Sequence, residues 1–214
     1  MSVMLIATLL ALQGPYYLSF TPGDVLKYSE TFKVTEMVGN KKFSAEASRD
    51  QTIVVKKWER NRATLEIKFS EPVARGTGDS MSLAASLKSW LYREDGEVTV
   101  DQRGILKRPG FPSGDRPFFG FNVPGHRDSL PKDWKAKLLP PVGMDKPIEF
   151  KYSPVNATGL PALYFIGTAK DKESEITCDG TVRFDAGKVA STRTTCKVVD
   201  SDGSVEFEYV ATRH

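Results

Sequence analysis

The chain has 214 residues, of which 40% are hydrophobic and 27% charged, and its formal net charge is +3. This composition is typical of a soluble globular protein with one large domain or two halves that share a core. The small net charge gives no sign of a nucleic-acid partner. The chain has two histidines and two cysteines, which argues against clustered zinc ligands, and no stretch resembles an EF-hand calcium loop. We therefore expect no metal and no cofactor.

Residues 1–14 contain an apolar run from Val3 to Leu12, interrupted by Thr8. This run is too short to span a bilayer, which requires about 20 residues, but it is typical of the apolar core of a secretory signal. We predict that residues 1–14 are a signal peptide, that the protein is exported to the periplasm or the medium, and that it has no transmembrane span. The alternative interpretation of the run is a buried first strand.

Residues 15–110 are predicted to form a first antiparallel β half. Apolar and polar side chains alternate along residues 24–37, which is the period of a half-buried strand. Alternating stretches at 42–48, 51–58 and 63–69 follow, and the short polar turns between them predict antiparallel pairing. The next segments predict a short helix over residues 81–92, with an alternating strand as the other possibility, and a hairpin whose tip is at residues 101–104.

Residues 111–146 are predicted to be a proline-rich crossing. Ten of the 13 prolines lie between residues 109 and 161, and proline cannot donate to a sheet ladder. Between residues 103 and 137 there are eight Lys or Arg against three Asp. Either this basic segment contacts anionic lipid or a polyanion, or its aromatic side chains plug the open end of the sheet while its lysines stay solvated. The interleaved aromatic residues are Phe111, Phe118, Phe119, Phe121 and Trp134.

Residues 147–214 are predicted to form a second antiparallel β half, with strands at 147–153, 162–169, 174–185, 188–199 and 204–212. Cys178 and Cys196 lie on either side of the turn at residues 185–188. A hairpin that closes at this turn places the two cysteines opposite each other within a residue or two. A cross-strand disulfide is therefore possible in an exported protein, and the alternative is two buried thiols.

The only internal histidine, His126, lies beside Asp128 and Ser129 in the stretch PGHRDSLPKDW. A Ser-His-Asp site holds its histidine between the two other groups, and residues this close in sequence rarely achieve that arrangement. The chain also lacks a Gly-x-Ser-x-Gly nucleophile elbow. We interpret the stretch as a turn before Leu130 and Pro131 and predict no catalytic residues.

Three short motifs carry a resemblance to known proteins: GDVLKY at 23–28, LPKDW at 130–134 and GTVRFDAGKVASTRTTCKVV at 180–199. They resemble recurring features of a broad group of uncharacterised exported bacterial β-sheet proteins. More remotely, the pattern is similar to the lipoprotein-carrier fold of the bacterial envelope, a curved antiparallel sheet with helical or loop cover on its concave side. The resemblance implies an apolar cavity that binds acyl chains, and it implies no catalytic residue.

We therefore expect a mainly β fold with two curved antiparallel half-sheets, open and barrel-like, that share one core and carry at most a short helix. The predicted function is that of a non-enzymatic exported cell-envelope protein that binds an apolar or amphiphilic, lipid-like ligand or an envelope protein partner. The alternatives are a structural or protein-interaction β module without a small ligand and, third, a hydrolase. The predicted inward-facing residues are Leu26, Tyr28, Phe32, Leu65, Ile67, Phe165, Phe184 and Phe207. The predicted ligand-binding residues are Tyr28, Phe32, Phe118, Phe119, Phe121, Trp134 and Phe165.

Overall fold

A computed structural model describes residues 16–76, 78–91, 95–107, 116–117, 119, 122–124, 131–138, 147–155, 159–170 and 174–214. Strands make up 69% of the structure, and one α-helix, α1 (Met81–Leu91), follows a 3-10 turn at Gly78–Ser80 within the described ranges. The mainly β prediction with one short helix is confirmed. The strands are β1 (Val25–Val38), β2 (Lys41–Glu59), β3 (Arg62–Phe69), β4 (Val73–Gly76), β5 (Gly96–Asp101), β6 (Ile105–Lys107), β7 (Arg116–Pro117), β8 (Trp134–Leu138), β9 (Ile148–Val155), β10 (Ala162–Lys170), β11 (Ser174–Asp185), β12 (Lys188–Asp200) and β13 (Gly203–Arg213).

The strands belong to one antiparallel sheet that is not closed into a barrel. Their order across the sheet is β7-β6-β5-β3-β2-β1-β13-β12-β11-β10-β9-β8, and β4 pairs with β2. The first and last long strands, β1 and β13, pair with each other near the middle of this order. Apart from this pair and the pair β3 and β5, all neighbouring strands in this order are consecutive in the chain. Most of the sheet is therefore built from hairpins.

The sheet curls strongly at one end. The backbone hydrogen bonds of the segment before β1 show how close this curl brings distant strands. Leu18 donates its backbone N–H to the carbonyl of Gln102, and the next residue, Ser19, donates to the carbonyl of Gly187. In a flat sheet the turns that contain these carbonyls would lie at least five strand spacings apart, about 24 Å, whereas two consecutive residues reach both. We call this the closed end, and the inner face of the curl the concave face.

The second strand differs from the prediction, which separated residues 42–48 from residues 51–58. In the structure a single 19-residue strand, β2, covers both. Arg49 and Asp50 read as a polar turn in the sequence, yet they keep the alternation: Arg49 points to the buried face and Asp50 to solvent. The predicted turn was wrong because a tertiary ion pair compensates the burial of Arg49.

The cover of the concave face comes from α1 and from pieces of chain outside the sheet. Ala84, Leu87 and Leu91 are buried on one side of α1, the spacing expected of a helix that packs on a sheet, so the helix interpretation of residues 81–92 was right. Leu18 is fully buried at the closed end, and Val123 is fully buried beside the sheet. The concave face is therefore the core of the protein.

Candidate functional site

The predicted ligand-binding residues fall into three groups. Tyr28, Phe32 and Phe165 are buried on the concave face, at 1%, 7% and 0% exposure. Phe119 belongs to the cover and lies over Tyr28, with ring centroids 4.7 Å apart. Trp134 is half-buried on the edge strand β8. Phe118 and Phe121 lie outside the described residues.

These aromatic rings belong to one hydrophobic core, in which they make different pairwise contacts. Trp134 stacks on Tyr152 at 5.7 Å and donates its indole N–H to the carbonyl of Asn122. Tyr152 in turn contacts Phe165 at 5.8 Å. Phe32 instead pairs with Tyr209, at 4.8 Å between ring centroids, on the central strands. The concave face thus has ring contacts over β8–β10 and over β1 and β13.

All eight predicted inward-facing residues lie on the concave face or in its core. Seven of them are buried, and Phe207 is half-buried on β13. The convex face is polar by contrast, as in the depression lined by Lys33, Lys197 and Glu206. The period-2 alternation therefore assigned the two faces of the sheet correctly.

A buried ion pair, which we call the polar lock, lies in the middle of the concave face. Arg49 Nε donates to Glu30 Oε2 at 2.6 Å, and the two side chains are 4% and 5% exposed. The Tyr209 hydroxyl donates to Glu30 Oε1 at 2.8 Å, and Arg49 Nη1 donates to the carbonyl of Leu91 at the end of α1. The polar lock fastens the helix to the sheet.

Aromatic rings complete the surroundings of the polar lock. The guanidinium carbon of Arg49 lies 4.0 Å from the ring centroid of Phe69, a distance typical of a cation–π contact. Burial raises the pKa of Tyr209 well above its usual value, and the neighbouring Glu30 carboxylate raises it further. The tyrosine therefore stays protonated and keeps donating to Glu30 throughout the physiological range.

The end of the sheet opposite the closed end has a different character. A row of side chains crosses six strands of the concave face in directly paired register and is only half-buried. Five of its members are apolar and one is a carboxylate. We call it the mouth row: Ala169, Ile176, Val198, Val205, Glu36 and Phe43.

The floor next to the mouth row contains the two cysteines. Cys178 and Cys196 are directly paired between β11 and β12, with Cα atoms 4.0 Å apart, and form a disulfide. Both are fully buried, and their row continues to Gly167 on one side and Phe207 on the other. The sequence left two possibilities open, a cross-strand disulfide or two buried thiols, and the structure contains the disulfide.

We expect this bridge to stabilise the fold, because it closes a loop with a sequence separation of 18. Protein that has matured under oxidising conditions should show no free thiol when it is denatured. The same protein should show two free thiols after reduction. The double variant C178A/C196A should lose about 3 kcal/mol of unfolding free energy. Urea unfolding of the variant and of reduced wild-type protein checks this, since both should show the same loss. Two free thiols before reduction would contradict the prediction.

The basic segment contributes contacts that hold the chain in place where the structure describes it. Arg103 donates its Nε–H to the carbonyl of Val123, and Lys135 pairs with Glu149 at 2.7 Å on the surface. The stretch from His126 to Ser129 lies outside the described residues. Among the residues that are described, there is no group of three or more side chains suited to hold a metal ion, and no helix is long and apolar enough to cross a bilayer.

Two features of this site were missed by the sequence interpretation: the polar lock and Glu36. The signal was present in β1, where Glu30 and Glu36 have the same parity as Tyr28, Phe32 and Val34. A carboxylate at an apolar position of an alternating strand indicates a charge on the buried face. The partner Arg49 follows the same rule on β2.

Comparison with known proteins shows a shared fold and no family. No protein-family model and no curated protein match the chain. A structure of lipid–protein interactions in lipovitellin is similar at 13% identity and a TM-score of 0.56, covering 92% of this chain and 25% of that chain. An outer membrane channel from Pseudomonas putida F1 has 8% identity and a TM-score of only 0.28, covering 94% of this chain and 99% of that chain. The chain therefore spans about a quarter of the lipovitellin chain, and this likeness shows the open β fold alone.

Proposed function

We propose that this protein is a non-enzymatic, exported cell-envelope protein that binds the apolar chain of an amphiphilic, lipid-like ligand. The mouth row carries this proposal. It has five half-buried apolar side chains from five strands, and three of them, Ala169, Ile176 and Val205, pack against the buried core. An apolar strip that is continuous with a core and open to water is typical of a ligand groove. In this proposal the ligand's chain lies over the mouth row, at the rim of the concave face.

The floor behind the mouth row suits an acyl chain. The next row inward contains Phe207, Val34 and the buried disulfide, and the row after that contains Phe165, Phe32 and Tyr209. Most of these side chains are already covered in the core, so in this proposal the ligand's chain packs on the mouth row and on half-buried Phe207. Each methylene that it buries there contributes about 0.8 kcal/mol. Phe119 belongs to the cover in this proposal, and Trp134 lies on the edge strand β8.

Two further observations support the proposal. The similar lipovitellin structure concerns lipid–protein interactions. The disulfide between Cys178 and Cys196 suits an oxidising compartment, in agreement with the signal peptide predicted at residues 1–14. Neither observation involves catalytic chemistry.

The proposal predicts that a charge in the mouth row blocks binding, while a charge one residue away on the convex face does not. Val198 and Val199 form the matched pair, since Val198 belongs to the mouth row and Val199 is 42% exposed on the other face. We expect V198K to weaken binding of dodecyl maltoside by at least about 10-fold, because the ammonium must be buried or the chain displaced. V199K should bind like the wild type.

Isothermal titration calorimetry below the critical micelle concentration measures both variants, and thermal unfolding shows that each remains folded. If wild-type protein binds neither dodecyl maltoside nor any other single-chain amphiphile, the proposal is wrong, and a structural or protein-interaction module becomes the better description. Equal weakening by V198K and V199K would show that the ligand does not use the concave face.

A further inference from the structure

Glu36 is the one acidic member of the mouth row. It lies on β1 directly between Val205 on β13 and Phe43 on β2, and it is half-buried. It has no ion-pair or hydrogen-bond partner among the described residues, unlike Glu30 on the same face of the same strand. Removing water from an unpaired carboxylate between two apolar neighbours costs free energy unless a positive charge compensates it.

The other charged groups around the mouth are differently placed. Asp200 is exposed at the tip of the β12–β13 hairpin, where its carboxylate accepts the backbone N–H groups of Asp202 and Gly203. Lys41 is exposed at the tip of the β1–β2 hairpin, where its ammonium stays in water. Asp79 is exposed next to Ser80, which is hydrogen-bonded to the start of β2. Among the described residues, Glu36 is thus the one charged side chain that belongs to the mouth row itself.

A ligand whose chain lies over the mouth row places its head group near this carboxylate. A cationic head group compensates the charge of Glu36 as water is displaced, whereas an anionic head group adds like-charge repulsion in a partly desolvated site. We propose that Glu36 selects ligands with a cationic head group, such as a protonated amine on a single apolar chain. This inference rests on the proposed function and names the ligand class for the same groove.

Three probes with the same 12-carbon chain separate the inference from the proposed function: dodecylammonium, dodecanoate and neutral dodecyl maltoside, all below their micellar concentrations. We expect wild-type protein at pH 7.4 to bind dodecylammonium about 10-fold more tightly than dodecanoate. E36Q should bring this ratio close to one and leave the maltoside affinity unchanged. The matched control E206Q, exposed on the convex face of β13, should keep the wild-type ratio.

Each outcome has one consequence. The role of Glu36 is overturned if the maltoside binds but E36Q does not alter the ratio of dodecylammonium to dodecanoate affinity. It is also overturned if the protein prefers dodecanoate. Both results leave the proposed function intact. Failure of all three probes to bind overturns the proposed function itself. Thermal unfolding of E36Q and E206Q ensures that a lost ratio reflects the head group and not a lost fold.

Discussion

Replacing Arg49 by methionine is expected to cost about 3–5 kcal/mol of unfolding free energy, because it leaves the Glu30 carboxylate buried without its partner. The methionine fills a similar volume, so the loss reports the charge and not a cavity. The substitution also removes the donor to the Leu91 carbonyl. Urea unfolding measures the loss, and faster amide hydrogen exchange in α1 should accompany it.

Two companion variants make this result specific to the polar lock. R193M removes another arginine–glutamate pair, with Glu208 at 2.6 Å, but the Arg193 side chain is 70% exposed, so the loss should stay below about 1 kcal/mol. The double variant E30L/R49M removes both charges and should recover most of the stability lost in R49M. Equal losses in R49M and R193M would show that burial does not govern the pair.

Alkaline unfolding is the second large effect that we expect, and it comes from buried tyrosines. Burial raises the pKa values of Tyr28, Tyr152 and Tyr209 above their usual value. Unfolded tyrosines release their protons near pH 10, while these three hold theirs in the folded protein. Their contribution to stability is therefore complete below pH 10 and is lost as the pH rises above it, because unfolding then releases protons.

With three such groups, the free energy of unfolding should fall by up to about 4 kcal/mol per pH unit above pH 10. Urea unfolding at a series of pH values measures this slope, and absorbance of tyrosinate at 295 nm should rise together with unfolding. Y28F should reduce the slope by about one third, although it also removes the hydrogen bond to the Val189 carbonyl. Y164F, at an exposed site of β10, should leave the slope unchanged, and a wild-type slope near zero would contradict the prediction.

The alternation along β1 shows how far a local pattern reaches. Leu26, Tyr28, Phe32 and Val34 share the buried face in the structure, as their spacing predicts. The same pattern contains Glu30 and Glu36, but parity alone cannot say whether a carboxylate on that face is paired. Arg49 lies 19 residues from Glu30 in sequence, and only the pairing of β1 with β2 puts the two side chains beside each other.

The cysteine pair illustrates the intermediate case. A hairpin closing at residues 185–188 places Cys178 opposite Cys196 within a residue or two, and one register step turns a side chain to the other face. A register shift between Arg183 and Phe184 determines which residues face each other, and it leaves the two cysteines directly paired. The turn was readable from the sequence, and the bulge was not.

The sequence by itself determined most elements with a strong local period, among them β1, β3 and β9–β13 with their solvent and core faces. It divided β2 into two strands and left a strand open as the alternative to the helix over residues 81–92. The tertiary structure alone decided the rest. The curl brings Gln102 and Gly187 to consecutive residues. The hydrogen bond from Tyr209 to Glu30 and the pairing of Val205 with Glu36 likewise join parts that lie far apart in the chain. Their cause is the packing of one sheet face onto itself and its cover, which the local alternation of apolar and polar residues does not specify.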